Sequence, residues 1–470
     1  MKRMLKNGAL ILLVLVFQAS LSAKKPQKSN VTKNKVDLII RGGTVITMNQ
    51  DREIIHDGSI AITNGRIIAV GHVEDRYQAS QTIDAKNKVI LPGLINGHGH
   101  APMVFFRGLA DGLALHDWLH DYIFPTEKQN VTADFVYWGT KLACLEMLQS
   151  GVTAFAAEYY FANSVAQAVS ELGMRVVVGQ PVMDFATPDS ATSEEGFLLV
   201  EALVKKWQGN DFVYPAISPH APYTASVATL QKANEVSKQH IIPFMIHLSE
   251  SPAEKGKGAA YLDSLGILSD RIIAAHVVHP TSEDIGLLQK YGVGVVHCPV
   301  SNMKLSSGIS PVTRMLEEGV AVGLGTDGAA SNNALDMMAE MKTAALLQKV
   351  LGKPTNLSAM QVLELATIGG ARAIHKEKDL GSIEVGKRAD LIMVTMDSIH
   401  QIPVYNVVSQ LVYASKASDI QTVVVNGKVL MKNRIFASDI DEGMVRKKAG
   451  EFKKKIKASI RSAAQKSNLK

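Results

Sequence analysis

Eight short apolar runs recur through the middle of this chain, and they constrain its fold more than any other feature. Segments of helical length separate the runs, and strands that alternate with helices predict a parallel (β/α)8 barrel of the TIM type in the α/β class. A doubly wound open sheet would give a similar rhythm and stays open as the alternative. The runs are Leu91–Ile95, Gly151–Ala157, Arg175–Val182, Val213–Ser218, Ile241–Leu248, Arg271–Val278, Gly292–Cys298 and Ala321–Thr326.

Polar side chains follow these runs at the points where the predicted strands end. In a (β/α)8 barrel the active site forms at the carboxyl end of the strands, so the pattern predicts a site at that end. The polar residues are His98, His100, Glu158, His220, His247, Glu250, His276, Asn302 and Asp327.

Two of these residues, His98 and His100, stand one residue apart after the first run. Residues i and i+2 of a strand face the same side, so the two imidazoles can reach one metal ion. Gly97 and Gly99 are expected to leave room for a metal and a substrate beside the backbone. Two ordinary histidines in a glycine-rich loop would be the plainer interpretation.

The ends of later runs offer further metal donors. His247 ends the fifth run and Asp327 follows the eighth, which brings three imidazole nitrogens and one carboxylate to one end of the barrel. This donor set suits one catalytic divalent ion, with zinc expected and iron(II) as the alternative, and leaves a position for water. Zinc bound in this way lowers the pKa of its water toward roughly 7.

Each end of the chain holds a predicted β-hairpin, in which an Asn-Gly pair joins two alternating apolar runs. One pair is Asn64-Gly65 and the other is Asn426-Gly427. We therefore predict a small β-sandwich built from both chain ends, residues 36–90 and 376–435, around a barrel that spans residues 91–375.

The first 23 residues have the pattern of a secretory signal peptide, with basic residues, the apolar stretch Ala9–Phe17 and then small residues. The apolar stretch is too short to span a bilayer comfortably, although an uncleaved anchor is the alternative. Residues 24–35 are interpreted as a basic linker. We expect an exported protein, periplasmic or secreted, with no stable membrane span after processing.

The basic charge lies at the two ends of the chain. Residues 1–36 carry +8 and residues 436–470 carry +6, while the whole chain carries +6, so the body between them carries −8. Because the positive charge is remote from the histidines, nucleic acid is not expected as a partner. Residues 436–470 are predicted to form a basic helical tail.

The two cysteines, Cys144 and Cys298, are too few for a disulfide framework, and Cys144 is predicted to lie in the core.

The motifs around the strand ends resemble those of the amidohydrolase superfamily and, within it, of the 5-methylthioadenosine/S-adenosylhomocysteine deaminases. The resemblance covers about residues 36–435 and rests on Pro92–His100, Pro219–Tyr223, His247–Glu250, Ala275-His276, His297–Leu305 and Gly325–Asn333. It implies metal ligands at His98, His100, His247 and Asp327, and substrate contacts at Glu127, His220 and Glu250. No lysine ends the fourth run to bridge a second metal, so one metal is expected.

Deamination of an adenine ring needs attack by water, a proton for the ring nitrogen and another for the departing ammonia. Asp327 can take the proton of the water, and Glu250, three residues after His247, is placed to protonate the ring. His276 can hydrogen-bond the attacking hydroxide or the developing charge. Glu127 could accept hydrogen bonds from both ribose hydroxyls, although alone it would be a charge at a helix start.

These inferences predict a metal-dependent hydrolytic deaminase of adenine nucleosides, namely 5′-methylthioadenosine, adenosine or S-adenosylhomocysteine. The partner is a small-molecule nucleoside, and a homo-oligomer is expected. Two alternatives stay open: an amidohydrolase acting on a free base or a triazine, and an exported binding protein with an inactive site.

A substrate that carries an amino-acid carboxylate calls for an arginine in the site. The chain has Gln180 where the resemblance leads us to expect that arginine, and Arg175 should lie at the far end of the barrel. A small neutral 5′ group is therefore the expected preference. His116 and His120 have metal-binding spacing, but a structural or lid role is expected for them.

Overall fold

The computed structural model describes residues 33–467 of the chain. Within that range a barrel is joined to a nine-stranded mixed sheet that takes strands from both ends of the chain. The predicted signal peptide, residues 1–23, and most of the predicted linker lie outside the described residues. The last two residues of the predicted linker, Asn34 and Lys35, belong to the first strand.

The N-terminal part of the mixed sheet has five strands. β1 pairs antiparallel with β2 and parallel with β4 and β5, and β2 pairs with β3 across the predicted Asn64-Gly65 turn. Both turn residues have positive φ, +50° and +72°, which is the backbone conformation that a two-residue hairpin requires. The strands are β1 Asn34–Ile46, β2 Ile54–Thr63, β3 Arg66–Gly71, β4 Tyr77–Asp84 and β5 Lys88–Pro92.

Eight parallel strands form the nearly closed barrel that the sequence predicts. Each strand pairs with the next one in the chain, and the Gly97 amide donates to the Leu324 carbonyl at 2.8 Å where the last strand meets the first. The strands are β6 Leu94–Asn96, β7 Val152–Glu158, β8 Arg175–Pro181, β9 Val213–Ser218, β10 Phe244–Leu248, β11 Ile272–His276, β12 Gly294–His297 and β13 Ala321–Leu324.

Four C-terminal strands complete the mixed sheet, and β14 pairs antiparallel with β5. One buried core contains residues from both chain ends, among them Ile40, Ile62, Leu391 and Val424. The second predicted hairpin is present at Asn426-Gly427. The strands are β14 Leu391–Thr395, β15 Ile420–Val425, β16 Lys428–Lys432 and β17 Ile435–Phe436.

The first predicted run, Leu91–Ile95, is divided between the two sheets. Its first two residues belong to β5, and the barrel begins at Leu94. Gly93 occupies the junction, where an added Cβ would lie 2.0 Å from Thr153 Oγ1. The prediction of a single strand was wrong, because an unbroken apolar run does not indicate which of two sheets each of its residues joins.

A buried ion pair connects the barrel to the mixed sheet. Arg175 begins β8, is fully buried, and donates from Nε to Asp390 Oδ2 at 2.7 Å and from Nη2 to Asn426 Oδ1 at 2.9 Å. Arg175 therefore lies at the amino end of its strand and does not reach the site, as predicted.

Helices follow the barrel strands, and their ends carry ordinary capping signals. The Thr132 hydroxyl accepts from the Phe135 amide at the start of α3, and Gly173 ends α4 at φ +73°. Cys144 is buried in α3, as predicted. The helices are α1 Leu115–Asp117, α2 Phe124–Asn130, α3 Ala133–Gln149, α4 Ala162–Leu172, α5 Ser193–Trp207, α6 Val227–His240, α7 Ala259–Ser264, α8 Ser282–Tyr291, α9 Pro299–Lys304, α10 Val312–Glu317, α11 Ala329–Asn332, α12 Met337–Val350, α13 Ala359–Leu365, α14 Ile368–Ala373, α15 Val407–Tyr413 and α16 Glu442–Ser467.

Five shorter helical segments complete the fold. A π-helical stretch, Trp118–Ile123, connects α1 to α2, so residues 115–130 are helical throughout. The others are 3₁₀ helices at Ala101–Phe106, Pro252–Glu254, Ile399–Gln401 and Ala417–Asp419.

The basic tail is helical, as α16, and it packs on the barrel by one face. Val445, Phe452 and Ile456 are buried, and the Phe452 ring stacks on Phe105 with 5.0 Å between centroids. Phe105 follows His100 by five residues, so the tail supports the segment that carries that histidine. Over residues 33–467, no helix is both long and apolar enough to cross a membrane.

Candidate active site

The four predicted metal donors meet at the carboxyl end of the barrel. Asp327 Oδ1 lies 3.2 Å from His100 Nε2 and 3.6 Å from His98 Nε2, and His247 Nε2 lies 3.3 Å from His100 Nε2. His247 lies on β10, His98 and His100 follow β6 directly, and Asp327 follows β13, so the side chains come from three separate places in the chain. Three imidazoles and one carboxylate this close together form a donor set that suits a divalent transition metal.

The second nitrogen of two rings is held by the backbone. His100 Nδ1 donates to the Glu158 carbonyl at 2.7 Å, and His247 Nδ1 donates to the His220 carbonyl at 2.9 Å. This uses the Nδ1–H of each ring and turns each Nε2 toward the cluster. His98 Nε2 is buried and has no hydrogen-bond partner among the described residues. These three nitrogens therefore fit a shared metal ion.

The charges of the cluster also suit metal binding. Burial lowers the pKa of His98 to about 4 and brings the pKa of His247 well below its usual value, so both rings are neutral at pH 7. Burial opposes the charged form of His100 too, but the Asp327 carboxylate outweighs burial there and raises the pKa of His100 to about 9. A metal ion held at His100 Nε2 would take the place of that proton. Burial alone would raise the pKa of Asp327, but the facing rings of His100 and His98 outweigh burial and hold that pKa well below its usual range. Asp327 is therefore a carboxylate.

Asp327 is oriented by its neighbours so that one oxygen faces the histidines. Its Oδ2 accepts from the Ser301 hydroxyl at 2.6 Å and from the Ser331 hydroxyl at 2.8 Å. Its Oδ1 accepts from the Gly328 amide at 2.7 Å and faces the rings of His98 and His100. Oδ1 is the oxygen available to a metal.

Three site residues at strand ends have left-handed backbone conformations: His220 at φ +57°, His276 at +72° and Asp327 at +62°. Such conformations are uncommon for residues with a side chain and are found where surrounding structure enforces them, often at functional sites. Here they direct the three side chains toward the same end of the barrel.

The two glycines of the His-Gly-His segment have a different role from the predicted one. A Cβ at Gly97 would lie 3.0 Å from the side chain of Val296, and one at Gly99 would lie 3.3 Å from the Asp327 carbonyl oxygen. The absent side chains therefore let the first strand approach its neighbours in the barrel, and the expectation that they make room for metal and substrate was wrong.

Glu250 is buried beside His276, with 3.7 Å between Glu250 Oε2 and His276 Nε2. Burial raises the pKa of Glu250 to about 7, against the opposing effect of His276. His276 Nδ1 pairs with Asn302 Oδ1 at 2.8 Å, so the neutral ring carries its hydrogen on Nδ1 and presents Nε2 as an acceptor. A neutral His276 can thus accept a hydrogen bond from attacking water, and it can donate to a developing charge only when protonated.

A cavity opens over this cluster at the carboxyl end of the barrel, where small-molecule sites of this fold form. His100, His220, His247, His276, Glu250 and Asp327 line it. Helical residues 115–124 contribute an apolar second wall made of Leu115, Trp118, Leu119, Ile123 and Phe124. Among the described residues that line the cavity, none is lysine or arginine.

Glu127 is also buried in this cavity wall, and two tyrosines hold it. The Tyr159 hydroxyl donates to Glu127 Oε1 at 2.7 Å, and the Tyr160 hydroxyl donates to Oε2 at 3.3 Å. Burial raises the pKa of Glu127 to about 7, against the effect of the Tyr159 hydrogen bond. The role of the tyrosines was not predicted, although their position directly after Glu158 at the end of the second run was a usable signal.

Gln180 does not line the cavity. Its Oε1 accepts from the Ala162 amide at 3.3 Å and its Nε2 donates to Asp189 Oδ2 at 3.0 Å, whereas the next residue, Pro181, lines the cavity. The expectation that Gln180 faces the substrate was wrong. Neighbouring residues of a strand point to opposite sides. An error of one residue in the predicted register therefore assigns a side chain to the cavity wall when it lies on the other side of the strand.

His116 and His120 lie on the helical second wall with their rings 4.4 Å apart. Both are exposed, and neither belongs to the groups of potential metal donors found among residues 33–467.

Comparisons with known proteins agree with this geometry. The amidohydrolase family model matches residues 89–430. A 5-methylthioadenosine/S-adenosylhomocysteine deaminase from Syntrophobacter fumaroxidans is 44% identical over 426 residues, which cover 88% of this chain and 97% of the relative. A 5′-deoxyadenosine deaminase from Methanosarcina barkeri is 42% identical over 417 residues, covering 86% and 95%.

A solved structure shows the same fold with a metal bound. It is an adenosine deaminase from Xanthomonas campestris with zinc, which has a TM-score of 0.88 and 35% identity and covers 91% of this chain and 100% of that chain. The chain therefore belongs to the amidohydrolase family, among the 5-methylthioadenosine/S-adenosylhomocysteine deaminases, and is a hydrolase that acts on carbon–nitrogen bonds.

Proposed function

We propose that the protein is a metal-dependent deaminase of adenine nucleosides that prefers a small, neutral 5′ group, as in 5′-methylthioadenosine, 5′-deoxyadenosine or adenosine. One observation carries the proposal: a single cavity joins the three-histidine and Asp327 cluster to Glu250 and to the buried Glu127. The names of the relatives, deaminases of adenine nucleosides, support the same substrate class.

His98, His100, His247 and Asp327 would hold the metal, and zinc is the ion we propose because the Xanthomonas campestris relative binds it. When bound there, a divalent ion makes water a better nucleophile at neutral pH. Asp327 is a carboxylate at this end of the cavity and is placed to take a proton from the attacking water. His276 can orient that water through Nε2.

Glu250 supplies the proton that the ring nitrogen needs. A carboxyl group with a pKa of about 7 is protonated in a large fraction of molecules at neutral pH, and an ordinary glutamate is not. Water adds its hydroxyl to the amino-bearing carbon and gives one proton to Asp327, while the ring nitrogen gains the proton from Glu250. The bond between that carbon and the amino group then breaks: the amino group takes the proton from Asp327 and departs as ammonia, and the new hydroxyl returns its proton to Glu250 as it becomes the carbonyl. The product is the corresponding inosine-type nucleoside.

The far end of the substrate is expected to be uncharged. Glu127 is suited to ribose hydroxyls because each of its oxygens keeps a lone pair beyond the one that a tyrosine occupies. An amino-acid carboxylate on the 5′ side would need a cation to pair with, and the described residues lining the cavity include no lysine or arginine. This argues for 5′-methylthioadenosine over S-adenosylhomocysteine.

The test is ammonia release by the purified, zinc-loaded protein from 5′-methylthioadenosine, 5′-deoxyadenosine, adenosine and S-adenosylhomocysteine, with free adenine, guanine, cytosine and a chlorotriazine as comparisons. We expect the first three nucleosides to have the highest kcat/KM. A higher kcat/KM on a free base or the triazine would overturn the substrate class. Binding of a nucleoside without turnover, in protein that holds metal, would favour the alternative of a binding protein.

A further inference from the structure

Glu340 is a buried acidic residue that lies outside the cavity and yet reaches two of the segments that orient Asp327. It stands in the first turn of α12 and is 1% exposed. Its Oε1 accepts from Asn332 Nδ2 at 2.6 Å, and its Oε2 accepts from the Val300 amide at 3.3 Å. Burying a carboxyl group is costly unless its oxygens are hydrogen-bonded, and both oxygens of this one are.

The two hydrogen-bond partners of this carboxyl group each stand next to a serine that bonds Asp327. Val300 precedes Ser301 in α9, and Asn332 follows Ser331 in α11. The hydroxyls of the two serines donate to Asp327 Oδ2 at 2.6 Å and 2.8 Å. The carboxyl group therefore connects the two short helices that hold this oxygen and leave Oδ1 to face the histidines.

The same network reaches the backbone beside Asp327. Asn332 Nδ2 also donates to the Thr326 carbonyl at 2.7 Å, so it holds the peptide group that joins Thr326 to Asp327. Asn96 bonds the Thr326 amide at 2.9 Å and the Thr326 hydroxyl at 2.7 Å. Asp327 has a left-handed φ of +62°, a conformation that surrounding structure must enforce. Glu340 contributes to this by fixing the amide group of Asn332.

We propose that Glu340 is a positioning residue for the metal site, which holds α9 and α11 in the arrangement that turns Asp327 Oδ1 toward the histidines. This proposal rests on the proposed function, because it requires a metal ion at that oxygen. Substitution of Glu340 should weaken metal binding through Asp327 and leave the cavity wall in place. Residues behind metal ligands commonly change metal affinity by about 10- to 100-fold when they are substituted.

A role in stability alone is the alternative, and α12 offers a matched control for it. Gln348 lies about two turns further along the helix and is also 1% exposed. Its Oε1 accepts from the Thr313 amide at 3.1 Å, and its Nε2 donates to the Ser310 carbonyl at 2.8 Å. These contacts lie outside α9 and α11. Substitution of either residue should therefore cost stability, but only Glu340 should affect the metal.

The experiment measures the zinc dissociation constant by competition with a chelator, together with the melting temperature of each metal-free protein. The proteins are the wild type, Glu340→Gln, Glu340→Leu and Gln348→Leu. We expect Glu340→Leu to raise the dissociation constant about 10- to 100-fold. Glu340→Gln keeps one acceptor oxygen and should raise it less. Gln348→Leu should lower the melting temperature and keep the zinc affinity of the wild type. Glu340→Gln has nearly the native size and carries the test if Glu340→Leu does not fold.

A double-mutant cycle tests whether the effect passes through Asp327. Ser301→Ala combined with Ser331→Ala removes the hydroxyls that hold Oδ2, so Glu340→Gln should weaken zinc binding less in that background than in the wild type. At saturating zinc, kcat for adenosine should fall in Glu340→Gln while KM stays close to the wild-type value, because the cavity wall is unchanged.

Equal zinc affinity in the wild type and the Glu340 variants would overturn the proposal. An equal loss in Gln348→Leu would also overturn it, as would losses that simply add in the double-mutant cycle, because Glu340 would then act independently of Asp327. These outcomes leave the proposed function intact provided that the wild type binds zinc and releases ammonia from adenosine. A wild type that binds no zinc overturns the proposed function itself.

Discussion

The two walls of the cavity are built in different ways. On the metal side, His98, His100 and His247 stand on or directly after barrel strands, and backbone carbonyls fix the second nitrogen of two of these rings. The other wall comes from helical residues 115–124 and from Glu127, outside the barrel strands, and tyrosine side chains hold the Glu127 carboxylate. The side chains proposed to carry the reaction therefore stand at the ends of barrel strands, whereas those proposed to select the substrate belong largely to a connecting segment.

Substitutions of the predicted metal donors should have the largest effect. His247→Ala or Asp327→Ala removes one of only four donors, so activity should be abolished and bound metal should fall. Metal analysis and ammonia release measure both. His116→Ala, a histidine change outside the cluster, should keep full metal. Normal metal and activity in the first two variants would refute the donor assignment.

Substitution of the proposed proton donor, Glu250, should have the second-largest effect on activity. Glu250→Gln keeps the size of the side chain but removes the titrating proton, so kcat should fall by roughly 10²–10⁴ while metal is retained. The pKa of Glu250 is raised to about 7, which means that its acid form is available below that pH and is lost above it. The wild-type kcat/KM should therefore decline as pH rises through about 7, and the variant should lack that decline. A wild-type profile that is flat in this region would argue against Glu250 as the acid.

Changes to the second wall should be smaller and should appear in substrate preference. Glu127→Gln is expected to lower kcat/KM for adenosine by about tenfold or more, because the amide has only one acceptor oxygen where the carboxylate has two. Tyr159→Phe should lower it by about two- to tenfold, since it removes one hydrogen bond that orients Glu127. Both should retain metal. Tyr137→Phe is the control, because that hydroxyl bonds Glu171 on the exterior. Loss of metal in Glu127→Gln would show that the two walls are not independent.

The smallest effect concerns the 5′ group. Met183 lines the cavity and Gln180 does not, so Met183→Arg should raise kcat/KM for S-adenosylhomocysteine relative to 5′-methylthioadenosine by up to about fivefold. Gln180→Arg should leave that ratio unchanged. The measurement is the ratio of the two kcat/KM values in each variant. A gain confined to Gln180→Arg would show that Gln180, and not its neighbour Pro181, faces the substrate.

Features that repeat locally could be predicted from the sequence. The barrel strands and the two Asn-Gly hairpins follow from patterns that a few neighbouring residues contain. Features that depend on register or on distant elements could not. An error of one residue in register interchanges the sides of the strand assigned to Gln180 and Pro181. The tyrosines contact Glu127 only because the fold brings together residues about thirty positions apart in the chain. The meeting of the four predicted metal donors was an exception, since strand ends of a barrel converge whatever the helices between them contain.

The pairing of β5 with β14 has a consequence for synthesis of the chain. β5 ends at Pro92, and its partner begins at Leu391, about three hundred residues later. At ordinary ribosome speeds, about 5–20 residues per second, the edge of β5 is therefore exposed for about 15–60 s before its partner emerges. An apolar strand with an open edge can pair with another chain in that interval. Production of this protein should consequently be sensitive to the rate of translation and to chaperones that cover such an edge.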